Sequence, residues 1–151
     1  MRTGSLEAQN FLPESFDAIT LWDVIDHIEK PQKFLENIYK LLKPGGTVVV
    51  ETTMEDSLVY RIAHYMYILS GEYIKTPVLR CHPLHHSTFY STHTMRKALT
   101  KAGFRNIIEK PGDLNPALIN TTWLVRMFLY GIGVTSSLFN RPLETVFYAR
   151  K

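Results

Sequence analysis

Residues 16–51, FDAITLWDVIDHIEKPQKFLENIYKLLKPGGTVVVE, constrain the fold more than any other stretch of the chain. Ala18, Ile19, Thr20 and Leu21 form a short, mostly apolar run that leaves no room for a solvent face, the pattern of a strand covered on both sides in a parallel sheet. Pro31 suits the first turn of a helix, where its missing N–H has no partner to lose. Phe34, Leu35, Ile38, Leu41 and Leu42 follow at helical spacing as one apolar stripe, while Lys33, Glu36, Asn37, Lys40 and Lys43 face away. Pro44 is expected to stop this helix, Gly45 and Gly46 supply backbone angles that other residues resist, and residues 47–50 read as a second buried strand. A strand–helix–strand unit with a right-handed crossover results. In open sheets of this kind ligands bind beyond the carboxyl ends of the strands. Those ends are residues 22–27 (WDVIDH) and 51–53 (ETT).

The order of these pieces, followed downstream, resembles the class I S-adenosylmethionine-dependent methyltransferases, and most of all the small-molecule group that includes the ubiquinone-biosynthesis O-methyltransferases. FDAITLWDVIDHI, Pro31, LLKPGG and the strand after it are similar to that family's fourth strand, following helix and fifth strand. Tyr90, Ser91, Thr94, Met95, Ala98 and Leu99, then Ala102, Gly103 and Phe104, resemble its later helix and the step into its sixth strand; residues 144–151 (ETVFYARK) resemble the last. The likeness runs from about Gly4 onward and leaves residues 110–142 unmatched. It implies an α/β, Rossmann-like fold that is partial: the fourth to seventh strands in a mixed sheet whose last strand is antiparallel. S-adenosylmethionine is the implied cofactor and a small molecule the implied methyl acceptor. The glycine-rich first motif of the family belongs well upstream of Phe16, as does the acidic residue that holds the ribose, and neither occurs here. The chain is therefore expected to be the second half of a truncated methyltransferase. Gly131 and Gly133 make a G-x-G, but it follows no strand and lacks the third glycine.

The same resemblance assigns roles. Ser5 and Leu6, with Glu7, stand where the family contacts the adenine ring, and a frayed terminus is the plainer account of them. Trp22 stands against the methionine part of the cofactor, or else simply covers the sheet end. Asp23 bonds the turn or faces a ligand. His27, an imidazole with a near-neutral pKa, is the one candidate general base, removing a proton from a hydroxyl nucleophile; tying down the loop is the alternative. Asp26 occupies a position where the family usually has glutamate, a departure that weakens any strict role for the His27–Asp26 pair. His85, His86 and Tyr90 are candidates for substrate contact, because the family places a His-containing segment over the substrate mouth before its F/Y-S turn.

Elsewhere the readings are coarser. Ser57 can cap a helix bearing Leu58, Ile62, Tyr65, Met66 and Leu69 on one side; with Tyr60, Tyr67 and Tyr73 the region is aromatic, a place where the resembling family clusters substrate contacts or simply a tyrosine-rich core helix. Cys81, His82, His85 and His86 cluster without the paired spacing a zinc site needs, so no metal is assigned. Ser91 or Thr92 caps a helix that turns Met95, Leu99 and Ala102 inward and ends at Gly103; residues 104–109 form a strand. Residues 110–142 read as an apolar insertion or lid within a single domain spanning 1–151. Its most apolar window, 122–139, is interrupted by Arg126, two glycines and several hydroxyls, which argues against a transmembrane span; a buried helix or a lid over a lipophilic substrate fits better, with an interfacial contact with membrane as a further variant.

At 151 residues, 45% of them hydrophobic, the chain can bury roughly 70% of its unfolded surface. Net charge is +3, but no basic run alternates with exposed aromatics, so no nucleic-acid partner is expected. A single cysteine, Cys81, excludes an intramolecular disulfide and fits a reducing, cytoplasmic compartment. The strand that the missing half would have covered becomes a sheet edge, and a homodimer through that edge is expected. A non-catalytic module that keeps the sheet and binds another chain is the competing class.

Overall fold

The computed structural model describes residues 3, 4, 6, 9–73, 87–112, 123, 131 and 142–151. The expectations placed on Ser5, Glu7, Cys81, His82, His85, His86 and nearly all of the apolar insertion lie outside these residues.

Strand β1 (Phe16–Trp22) leads through a 3-10 turn (Ile25–His27) into helix α1 (Pro31–Leu41) and strand β2 (Leu42–Thr53). Helices α2 (Leu58–Leu69) and α3 (Thr92–Lys101) follow, then strands β3 (Arg105–Pro111) and β4 (Glu144–Arg150). The four strands form one mixed sheet in the order β1-β2-β4-β3. β1 runs parallel to β2, whereas β4 lies antiparallel to both of its neighbours. The expected α/β architecture with an antiparallel last strand is thus the one observed.

Side-chain alternation explains where the core sits. Val48 and Val50 of β2 point to one face, where Ala149 and Phe147 of β4 lie opposite them. Against this face pack Phe34, Leu35 and Ile38 of α1 and Met95 and Leu99 of α3, and all of these residues are buried in one cluster. Burying each such side chain stabilises the fold by about 1.5–3 kcal/mol. β3 is held to α3 by Arg96, whose Nη2 lies 2.6 Å from Glu109 Oε1.

Several local expectations need correction. The first helix ends at Leu41, ahead of Pro44. The proline acts at a distance, by disfavouring helical angles at Lys43, and the chain is already extended from Leu42. Between Phe16 and Ala18 the register jumps from Leu42 to Thr47, so KPGG forms an irregularity within β2. Lys43 spans it, its Nζ 2.8 and 2.9 Å from the two carboxylate oxygens of Asp17. Gly45 there has φ +79, and a Cβ on Gly46 would sit 2.9 Å from the Lys43 carbonyl oxygen. β1 is not covered on both sides: Ala18, Thr20 and Trp22 are exposed, because among the described residues nothing packs on that face of the strand. On α2, Tyr65, Met66 and Leu69 are exposed, which does not fit a core helix, and Ala63 is the buried residue.

Candidate functional site

The carboxyl ends of the two parallel strands lie side by side, with Trp22 in register with Glu51. Trp22 is 54% exposed, an unusual state for an indole at the end of a strand. Asp23, next in the chain, adopts φ +53, a left-handed conformation that Asp tolerates better than most residues. That kink turns the chain into the 3-10 turn, and the carboxylate of Asp23 comes 4.0 Å from Nε2 of His27. His27 opens onto a shallow cleft of about 310 Å³ that also involves Glu29, Lys30 and Lys33 at the start of α1. Trp22, Asp23 and His27 therefore share one loop at the carboxyl ends of the parallel strands.

The electrostatics of this end are acidic. Burial raises the carboxyl of Glu51 above its usual range, with the charge of Asp23 adding to it. Glu144, which opens β4 opposite Thr53, is raised by burial, then by Glu51 and by Asp23. Among the described residues no three His, Cys, Asp or Glu side chains are arranged to hold a metal ion.

Tyr90 lies close by but is not an open surface residue. It bridges Met54 at the end of β2 and is 5% exposed. Its hydroxyl makes no hydrogen bond among the described residues. Burial pushes its phenol up to about 12, helped by the charge of Asp26. Leu6 is partly buried against the core. A second cleft, of about 360 Å³, lies between Glu55, Asp56 and the Tyr60, Arg61, His64 side of α2, where the Tyr60 and His64 rings stack.

Sequence reasoning assigned Asp26 no firm role. It is 1% exposed, and Oγ1 of Thr52 donates to its Oδ1 at 2.5 Å. Nothing local marks it, since the partner is 26 residues away. Glu51 and Glu144 were visible only as strand ends, and their proximity follows from the pairing of β2 with β4.

The family model for a methyltransferase domain matches residues 4–109. The chain belongs to the class I methyltransferase family. It is 30% identical over 107 residues to the mitochondrial ubiquinone biosynthesis O-methyltransferase of Schizosaccharomyces pombe, covering 71% of this chain and 34% of that protein. The corresponding Dictyostelium discoideum protein is 36% identical over 61 residues, 40% of this chain and 18% of that one. The chain thus spans about a fifth to a third of the length of these curated relatives. In fold it is similar to a SAM-dependent methyltransferase from Thermotoga maritima, with a TM-score of 0.61 at 18% identity, over 98% of this chain and 62% of that one. It is also similar to phosphoethanolamine N-methyltransferase 2 of Haemonchus contortus in complex with S-adenosyl-L-methionine, with a TM-score of 0.51 at 18% identity, over 94% of this chain and 34% of that one.

The residues present suit one wall of a site for such a cofactor. Trp22 offers an aromatic face, and Asp23 and Glu51 offer negative charge, groups that attract a sulfonium or ammonium. The positive-φ glycines among the described residues, Gly4, Gly45, Gly71 and Gly103, do not form the turn between a strand and the helix after it that the family's first motif makes.

Proposed function

We propose that this chain supplies the acceptor side of an S-adenosylmethionine-dependent methyltransferase acting on a small molecule. The observation that carries the reading is the convergence of Trp22, Asp23 and His27 in one loop at the carboxyl ends of parallel strands, beside Glu51. Cofactor contacts are proposed for Ser5, Leu6, Trp22 and Asp23. Substrate contacts are proposed for His85, His86 and Tyr90, with the apolar segment 110–142 as a lid suited to a lipophilic acceptor. Bound there, S-adenosylmethionine supplies a methyl group activated by its sulfonium. The protein's part would be to bring the acceptor in line and to take its proton: His27 would accept the hydroxyl proton as the acceptor oxygen bonds to the methyl carbon, the methyl–sulfur bond breaks and S-adenosylhomocysteine leaves. A cytoplasmic site is proposed on the single thiol; no helix among the described residues is long and apolar enough to cross a membrane.

The decisive measurement is calorimetric titration with S-adenosylhomocysteine, accompanied by a thermal-shift scan. Micromolar binding is expected, and ligand at 100 times its Kd stabilises by about 2.7 kcal/mol. His27→Gln should keep that affinity while lowering methyl transfer to a hydroxyl acceptor by about 10²–10⁴. No binding and no thermal shift would remove the enzymatic reading for this chain. A second reading is supported by the uncovered edge and face of β1: a methyltransferase-like module that docks another chain there and binds no cofactor alone.

A further inference from the structure

Three segments meet at Asp26. Its carboxylate accepts from Thr52 near the end of β2 at 2.5 Å, and its backbone carbonyl accepts from the amides of Ser87 at 2.8 Å and Thr88 at 3.2 Å. The segment so held continues to Tyr90, whose carbonyl accepts from the amide of Glu55 at 2.9 Å and which bridges Met54. From there Ser91 caps α3 and the amide of Thr92 donates to Asp56 at 3.3 Å. Nothing in a surface loop requires a carboxylate that is 1% exposed. Burying one costs several kcal/mol unless it is bonded, whereas the neighbouring Asp23 and Glu29 remain exposed. An acid buried at such cost and bonded to a strand 26 residues away fits a residue that holds the two segments together.

We propose that Asp26 is a positioning residue, a latch through which Thr52 fixes the 3-10 turn carrying His27 to the end of β2 and to the segment 87–90 that leads into α3. The latch stands on bonds within the chain alone; its consequence for methyl transfer rests on the functional reading above. In that reading it holds the loop of Trp22, Asp23 and His27 and the acceptor-side Tyr90 in one relative geometry, without touching either reactant.

Native-state hydrogen exchange on the ligand-free 151-residue chain tests it. Thr52→Val, which removes the hydroxyl donor, is expected to speed exchange of the Ser87 and Thr88 amides at least tenfold. The β2–β4 ladder and α1 should keep wild-type rates. Thr52→Ser keeps the hydroxyl and restores protection. Asp26→Ala, which removes the acceptor oxygen, behaves like Thr52→Val, and the double variant is expected to lose less than the product of the single losses, because both remove the same bond. Unchanged exchange at Ser87 and Thr88 in Thr52→Val, or acceleration spread evenly through the chain, would overturn the latch. Should Asp26→Ala fail to fold, the two Thr52 variants decide alone. Failure of the wild-type chain to bind S-adenosylhomocysteine would defeat the functional reading and leave the exchange result standing.

Discussion

At the residue scale the site combines features that each carry a cost. Glu51 and Glu144 titrate above the usual carboxylate range because both are partly buried and lie near other acids. Their native-state pKa values exceed those of the unfolded chain, so as pH falls the folded state takes up these protons first. The pair therefore weakens the fold at neutral pH, and the penalty is relieved as pH falls through the raised values. Glu144→Gln is expected to raise the Tm at pH 7, with the gain over wild type shrinking on acidification. An equal gain at both ends of a pH series of thermal melts would refute the electrostatic account. Asp17 is the opposite case, lowered by its hydrogen bond to Lys43 and by that residue's charge, but it is too exposed to matter comparably. Gly103 carries a different constraint. Its φ is +107, and a Cβ there would meet the Tyr39 ring at 3.0 Å. Gly103→Ala should cost more than about 1 kcal/mol from backbone strain alone, read as a lower urea midpoint. That glycine was legible in the sequence as a helix stop. The burial of Asp26 was not, because it depends on Thr52, and no local pattern reports a bond across 26 residues.

At the element scale the sequence was most informative where an element is stabilised by its own residues. Ser91 caps α3 as its type predicts, accepting from the Thr94 amide at 3.2 Å, and Thr94 returns the contact to the Ser91 amide at 2.8 Å. Ser91→Ala should cost about 1 kcal/mol. The apolar stripe of α1 was equally plain, and Ile38, fully buried between helix and sheet, should cost 2–5 kcal/mol when cut to Ala. Denaturant melts of the two variants would separate these effects, the core truncation being the larger. Where an element depends on a neighbour, the reading failed. The spacing of Tyr65, Met66 and Leu69 on α2 suggests a buried stripe, yet periodicity states only that residues share a face. Among the described residues nothing covers that face. The early end of α1 is a smaller failure of the same kind, since Pro44 restricts the residue before it and the helix gives way earlier still.

At the scale of the whole molecule, strand order decides what the chain can do alone. Among the described residues β1 is the edge of the four-stranded sheet, paired with β2 on one side only. It also exposes Ala18, Thr20 and Trp22 on one face. An edge at β1 was legible in the sequence, because residues 16–151 resemble only the family's fourth to seventh strands. It could not foretell the open face, since an apolar run looks the same whether or not something packs on it. An edge that keeps unpaired backbone groups next to uncovered side chains is a template for another strand. No edge-blocking device stands on β1: the one charge along it, Asp17, is engaged by Lys43, and the strand has no proline. A second copy of the chain can supply the strand that is needed, so light scattering after size exclusion is expected to show a dimer that dissociates on dilution. Lysines at Ala18 and Thr20 place charge on the open face without touching the core packed on the other side. The double variant should run as a monomer and keep its thermal midpoint when that midpoint is measured at dilutions where the wild type is also monomeric. A wild-type chain that stays monomeric at high concentration would mean that β1 is protected in some other way, and association through this edge would then have to be abandoned.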